Sequence, residues 1–586
     1  MLRRVWAFAL WCSVATGLAH AQTTAMTSAG QSAFLAGVAA LHSFEYEDAV
    51  DAFLRAERAD PRLALAYWGE AMTYHQTLWG KEDMAAGRRA LARLAATPAA
   101  RAAAAGSPRE RMYLAAVDVL FGDGDSPTRR VRYAEKMAEL YAAEPADPDV
   151  GSFYALAVLG TVSRSLIGYV DSHEGHSAAL AGSETQIRVG DILGKVLAAH
   201  PDHPGALHYL LHNYDDPEHA RLGLEAARAY AKVAPESSHA LHMPAHVFVQ
   251  LGMWADAEAS DRAAFSASQT WVTRKGLPPA MRSYHALAWR QYELLQLGRY
   301  REAGALLDEL APVVKATGDL PLLSDLSSMR ARQVVETGRW SVMANERNFG
   351  NVVELCAIGI SAARSGNASL AELARQGLAT RAASPQEGDL RPAIVIMERE
   401  VAALIALAAG RGAESVELLR SATQAELRLP PPLGLPIPVV PAPEMLGEVL
   451  LQLGRPAEAL EAFGQALARN ANRTRSVLGS ARAAAALGRS DTAEQWFRQV
   501  LANYEHADAD VGEIAEARAG LSAASAAPRG APSRALPLTA VVGGALGLVA
   551  ALVLGIRRWK AAQVRRPAPL TTESRPPSRA RQQKRK

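Results

Sequence analysis

Small, aromatic and turn-forming residues recur along this chain with a period of 34. Near the start, Gly37, Ala49, Phe53, Ala56 and Pro61 run in the small, aromatic and turn order of a helix–turn–helix unit. Near the end, Leu453-Gly454-Arg455, Ala459, Phe463 and Ala466 are answered by Leu487-Gly488-Arg489, Ala493 and Phe497, and Gly454 and Gly488 stand 34 apart. The pattern predicts stacked pairs of antiparallel helices. Small residues let the two helices approach, Gly closes the first and Pro ends the second. Further Leu-Gly or Gly-Arg turns at Gly252, Gly298, Gly338 and Gly410 are 46, 40 and 72 apart, so insertions and degenerate units are expected. Two stretches interrupt the pattern. Residues 97–108 are rich in Ala, Gly and Pro and read as a loop. Residues 429–443 carry seven prolines in the 14 positions from Pro430 and read as an extended spacer. Residues 444–521 then read as a separate C-terminal pair of repeats, behind a main array at 22–428.

Two apolar runs lie outside the array. Arg3 and Arg4 precede an apolar stretch at 5–18, and Ala19-His20-Ala21 has the small-x-small form of a cleavage site. Residues 1–21 therefore read as a secretory signal peptide. Residues 536–556 contain no charge and reach about 31 Å as a helix, enough to cross the hydrocarbon core. Arg557, Arg558 and Lys560 follow at once. Positive flanks stay cytoplasmic, which puts the body outside, a linker at 522–535, one transmembrane helix at 536–556 and a basic cytoplasmic tail at 557–586. The location expected is the cytoplasmic (inner) membrane, single-pass.

Composition narrows the picture further. Of 586 residues, 49% are hydrophobic and only 6% aromatic, and Ala-rich runs recur, which favours an all-α chain. Cys12 and Cys356 are the two cysteines, too few for a disulfide framework or a multi-Cys zinc module. Cys356 sits in an apolar run and reads as a buried structural thiol. The formal charge of +3 is uneven. The last 30 residues hold 11 Lys/Arg against one Glu, Arg3 and Arg4 add two more, and a body of −9 remains. A mildly acidic body does not suit nucleic acid. A Gly-rich phosphate loop, a G-x-S-x-G elbow and an HExxH motif are all absent from the sequence.

The histidines carry the most information. Of 14 after residue 21, 11 fall between His173 and His285. Two HxxxH pairs, His208/His212 and His242/His246, are offset by 34 in both members, as are Pro201 and Pro235. Residues four apart share a helix face, so the pairs should occupy equivalent places on the first helices of adjacent units. His239 lies one turn before the second pair. His285 matches His239 if the interval between Gly252 and Gly298 is one unit with a 12-residue insertion. Neutral imidazoles suit Zn, Cu, Fe or Ni. Asp215, Asp216 and Glu218 stand beside the first pair, although Asp216-Pro217 also reads as a helix cap. Pro244 is interior if its helix begins near Ser238; a helix beginning at Pro244 would take His242 off the pair. His173-Glu174-Gly175-His176 reads as a loop.

The 34-residue pattern resembles the tetratricopeptide repeat (TPR). The resemblance implies an all-α TPR-type superhelix whose first helices line a concave groove. His208, His212, His242 and His246 would then face that groove as metal ligands, with His239, His285, Asp215 and Tyr209 beside them. The wording also resembles a set of secreted or membrane-anchored bacterial TPR proteins. It does so in Ala66-Tyr67-Trp68-Gly69-Glu70-Ala71-Met72, in His203-Pro204-Gly205 with His208-Tyr209 and His212, and in His239 with His242-Met243-Pro244-Ala245-His246. That likeness bears on fold and grouping, not on an activity. Three functions follow as expectations. The first is an anchored extracytoplasmic TPR module that holds a protein or peptide partner in a histidine-lined groove, with or without a transition metal. The second is a metal-dependent enzyme using the same histidines. The third is a plain scaffold for envelope assembly.

Overall fold

The computed structural model describes residues 28–162, 183–430 and 433–526. The leader expected at 1–21, the 173–176 motif, the apolar run at 536–556 and the basic tail lie outside the described residues. Among the described residues the chain forms 25 α-helices and one short antiparallel hairpin, β1 (His75–Gln76) and β2 (Lys81–Glu82), with His75 opposite Glu82. No described helix is long and apolar enough to cross a membrane.

The helices that carry the argument are α1 (Ser28–His42), α2 (Tyr46–Ala59), α3 (Ala64–Thr73), α4 (Pro148–Leu159), α5 (Pro204–Asn213), α6 (Ala220–Val233), α7 (Ser238–Gln250), α8 (Trp254–Lys275), α9 (Tyr284–Gln296), α10 (Ala442–Gln452) and α11 (Thr474–Ala486). Each helix packs on its neighbours in sequence, and first helices of successive units also touch, as α5 touches α7. The small-residue rule has a direct cause. Phe53 of α2 is wedged between Gly37 of α1 and Gly69 of α3, and a Cβ at those glycines would come within 2.7 and 2.3 Å of its ring. Phe463 sits in the same way between Gly447 of α10 and Gly479 of α11, at 2.8 and 2.3 Å. Gly454 and Gly488 end their helices at φ 71° and 68°, a left-handed turn that a side chain resists.

The array closes on itself. Asn472, just before α11, accepts from Trp254 Nε1 at 2.9 Å through its carbonyl, and its amide donates to Gly252 O at 2.8 Å. Buried Arg473 donates to the Tyr292 hydroxyl and to both carboxylate oxygens of Glu444. Tyr300 and Tyr504 share a hydrogen bond, and Asp508 N donates to Gly298 O. The C-terminal repeats are therefore joined to the middle of the array, and residues 28–526 fall in one compact unit. This corrects the expected division at 429–443. That proline-rich stretch is no free spacer: Leu435 and Val440 are buried, and Leu435 joins the apolar cluster of Trp289 and Tyr292. Residues 97–108 differ as well. Pro98–Ala104 is a helix, because Thr97 Oγ1 caps Ala100 N and Pro98 pre-sets the first turn.

Candidate metal centres

Local sequence explains the two histidine helices. Pro204 opens α5, and the His203 ring caps it by accepting from Ala206 N at 3.1 Å. Ser237 caps α7 by accepting from Ala240 N at 3.1 Å. The α7 helix runs from Ser238 with Pro244 inside it, so His242 and His246 do sit one turn apart. Pro244 removes one rung of the helix at a cost of ~3 kcal/mol. Ser260 Oγ donates to the Leu241 carbonyl at 2.6 Å beside the break.

The six key imidazoles divide into two sets. In the first, His208 Nε2 lies 3.0 Å from His212 Nε2 and 2.9 Å from His239 Nε2. His208 Nδ1 donates to the His42 carbonyl at 2.6 Å. A carbonyl only accepts, so the proton of neutral His208 is on Nδ1 and its Nε2 lone pair faces the other two rings. Phe44 lies against all three, with ring centres 4.4, 5.8 and 5.6 Å from those of His208, His212 and His239. Its backbone sits at φ 57°, a region a bulky side chain rarely adopts. Tyr230 stacks on His208 and Trp79 meets His239 edge-on.

In the second set, His242 Nε2 lies 3.0 Å from His246 Nε2, and the His285 ring centre is 4.7 Å from that of His242. His242 Nδ1 donates to Asp261 Oδ1 at 2.5 Å and His246 Nδ1 to Asp215 Oδ2 at 2.7 Å. Carboxylates that hold the far nitrogen fix ring orientation and leave Nε2 as the ligand atom. Trp289 packs against His242, His246 and His285 at 5.1, 4.3 and 5.4 Å. Behind Asp261, burial and the Asp261 carboxylate push Glu293 well above the usual carboxylate range.

A third set has a structural part. Asp149 Oδ1 accepts from His42 Nε2 at 2.8 Å and His203 Nε2 at 3.2 Å, while His42 Nδ1 meets the Tyr209 hydroxyl at 3.0 Å. Burial lowers the pKa of His42, against the pull of Asp149. For Asp149, burial pushes the carboxyl up, but the hydrogen bonds and charges of His203 and His42 outweigh it and hold it low. Every ring nitrogen here has a partner, and the network ties α1 and α4 to α5.

The structure groups the histidines differently from the sequence expectation. His208, His212, His242 and His246 do not form one set of four. His239 completes the first pair and His285 the second. They do not line an open groove either: His208 and His246 are 0% exposed, His242 2% and His212 7%. Neighbouring first helices press their histidine faces together, and aromatic rings cover them. Asp215 orients His246, Tyr209 binds His42, and Asp216 caps a turn by accepting from Glu218 N and His219 N. Cys356 is buried, and burial pushes its thiol up. Sequence reasoning missed Phe44, Asp261 and Trp289; the first two come from a loop and a second helix outside the histidine pattern, while Trp289 lies one turn after His285 on α9, a spacing that could have found it.

A tetratricopeptide-repeat profile matches residues 444–509, so the chain contains repeats of this kind. No curated protein matches the chain. Among solved structures, similarity is found to the APC/C hetero-tetramer Cut9-Hcn1, 11% identical over 88% of this chain and 98% of that one, with a TM-score of 0.28. The P58(IPK) TPR domain is 12% identical over 85% and 97%, with a TM-score of 0.22. Yeast Tom70 is 9% identical over 83% and 86%, again with a TM-score of 0.22.

Proposed function

We propose that this is a membrane-anchored, extracytoplasmic repeat protein that binds a transition metal through its buried histidines and meets a protein partner through the array. One observation carries the metal reading. His242 and His246 both spend their Nδ1 protons on aspartates, which leaves two Nε2 lone pairs facing each other at 3.0 Å. They repel unless a proton or a metal ion lies between them. Two nitrogens each about 2.1 Å from a tetrahedral ion stand about 3.4 Å apart, close to this separation. Neutral imidazoles favour Zn, Cu, Fe or Ni over Mg or Ca. The anchor and orientation rest on residues 536–556 and their basic flank; the protein partner rests on the repeat pattern and the match at 444–509.

The decisive experiment is elemental analysis of the detergent-solubilised full chain, purified without an affinity His-tag. Stoichiometric metal that disappears in a His208→Ala/His242→Ala double variant is expected. Protein that arrives metal-free and takes up none of Zn, Cu, Fe or Ni would sink the reading and leave a scaffold. A reporter fused after Lys586 that proves active outside the cytoplasm would overturn the orientation. A second reading, a metal-dependent enzyme, is favoured by the count of three described histidines per set. Three protein ligands are the usual number where water or substrate completes the coordination.

A further inference from the structure

We infer that the repeats build two separate transition-metal centres, one from His208, His212 and His239, the other from His242, His246 and His285. The inference rests on the metal-binding reading and specifies its number and ligands. In each set the ligand atoms lie within 4.8 Å of one another. The two sets are copies of one design. A HxxxH pair on a first helix supplies two ligands, and the first turn of the next unit's first helix supplies the third. His239 follows His208 by 31 residues and His285 follows His242 by 43. The excess of 12 is the insertion between them. It is visible as the 22-residue α8, against the 14-residue α6, and the turn at 276–283 that leads into α9. The insertion lengthens the second helix and its exit loop but returns the chain to the same place, so the third histidine arrives in register.

Both centres draw on α7. His239, at its first turn, belongs to the first centre; His242 and His246 belong to the second. One helix therefore cannot move without disturbing both, and Pro244 lies on it between His242 and His246. The orienting groups are not copied. Asp261 holds His242, but the place one repeat earlier is Ala227, and His208 turns instead to the His42 carbonyl. The second centre thus has carboxylates attached to two of its ligands, Asp261 and Asp215, each of which strengthens the basicity of the imidazole it holds.

The test is stoichiometry. The full chain in detergent is stripped, titrated with Co(II), desalted and assayed, with the ligand-field absorption of bound Co(II) followed in parallel. Two ions per chain are expected. His239→Ala and His285→Ala should each halve the bound metal, and the double variant should bind none. His239→Gln and His285→Gln, which keep bulk and polarity, guard against a folding defect and should give the same halving, with circular dichroism unchanged. A wild-type chain that saturates at one ion overturns the two-centre inference while leaving metal binding intact. So does a chain in which either single variant loses all metal. A wild-type chain that binds none overturns both.

Discussion

The ring of His208 donates through Nδ1 to the backbone carbonyl of His42, 2.6 Å away and 166 residues earlier. That bond fixes which nitrogen of His208 faces its neighbours, and it makes the end of α1 part of the first histidine set. Two residues on, Phe44 accepts a strained backbone and lies against the three rings.

Phe44→Ala should therefore cost more than an ordinary loop substitution. The ring is 3% exposed, and removing it leaves a cavity beside His208. A loss of about 3–5 kcal/mol is expected, read as a lower urea midpoint with an unchanged slope. A loss under about 1 kcal/mol would show that the ring does not close the set.

Asp261→Asn keeps the shape of the side chain but removes the charge that holds His242. Metal affinity at the second set should fall about 10–100-fold in a chelator competition, with the first set unchanged. Equal weakening of both sets would contradict their division into two separate threes.

Gly69→Ala places a methyl 2.3 Å from the Phe53 ring, which is fully buried and has Gly37 on its other side. Overpacking should destabilise the N-terminal repeats by about 1–3 kcal/mol, measured by thermal unfolding. Gly479→Ala beside Phe463 should behave alike, since the wedge is the same.

Glu448 bridges Arg475 and Arg364 at 2.5 and 2.6 Å. Burial pushes its carboxyl up, but the two guanidiniums outweigh this and bring it down to about 2. A depressed carboxylate stabilises the fold above its unfolded pKa, near 4.5, and loses that stabilisation as pH falls toward 2. Glu448→Gln should cost up to about 3 kcal/mol at pH 7, less after solvent screening, and the gap to wild type should close on acidification. A gap that stays constant down to pH 3 would refute the assignment.

Gly434 sits at φ 145° with Trp289 against it; a Cβ there would come within 2.5 Å of the indole. Gly434→Ala should push the 433–440 stretch off Trp289. A red shift of tryptophan emission is expected, and an unchanged spectrum would mean that the stretch holds by other contacts.

Some of this was legible early. The 34-residue glycine and aromatic recurrences identify helical hairpins because close helix packing needs small residues at fixed places, as Gly37, Phe53 and Gly69 show. The insertion count that linked His285 to His239 also holds, since a solenoid tolerates added length only where the chain returns to register. The grouping of the histidines was not legible. Periodicity says that His208, His212, His242 and His246 share a helix face; it does not say which nitrogen points where, or that the next helix supplies the third ring first.

The repeat order, the helical class and the residue types able to hold a metal were thus determined by the sequence alone, because they depend on local propensity and spacing. The burial of the rings, their division into two threes and the folding of the proline-rich stretch onto Trp289 were decided only in three dimensions. They depend on contacts such as His42 with His208, Asp215 with His246 and Gly434 with Trp289, between residues tens to hundreds of positions apart, where no short-range pattern reaches.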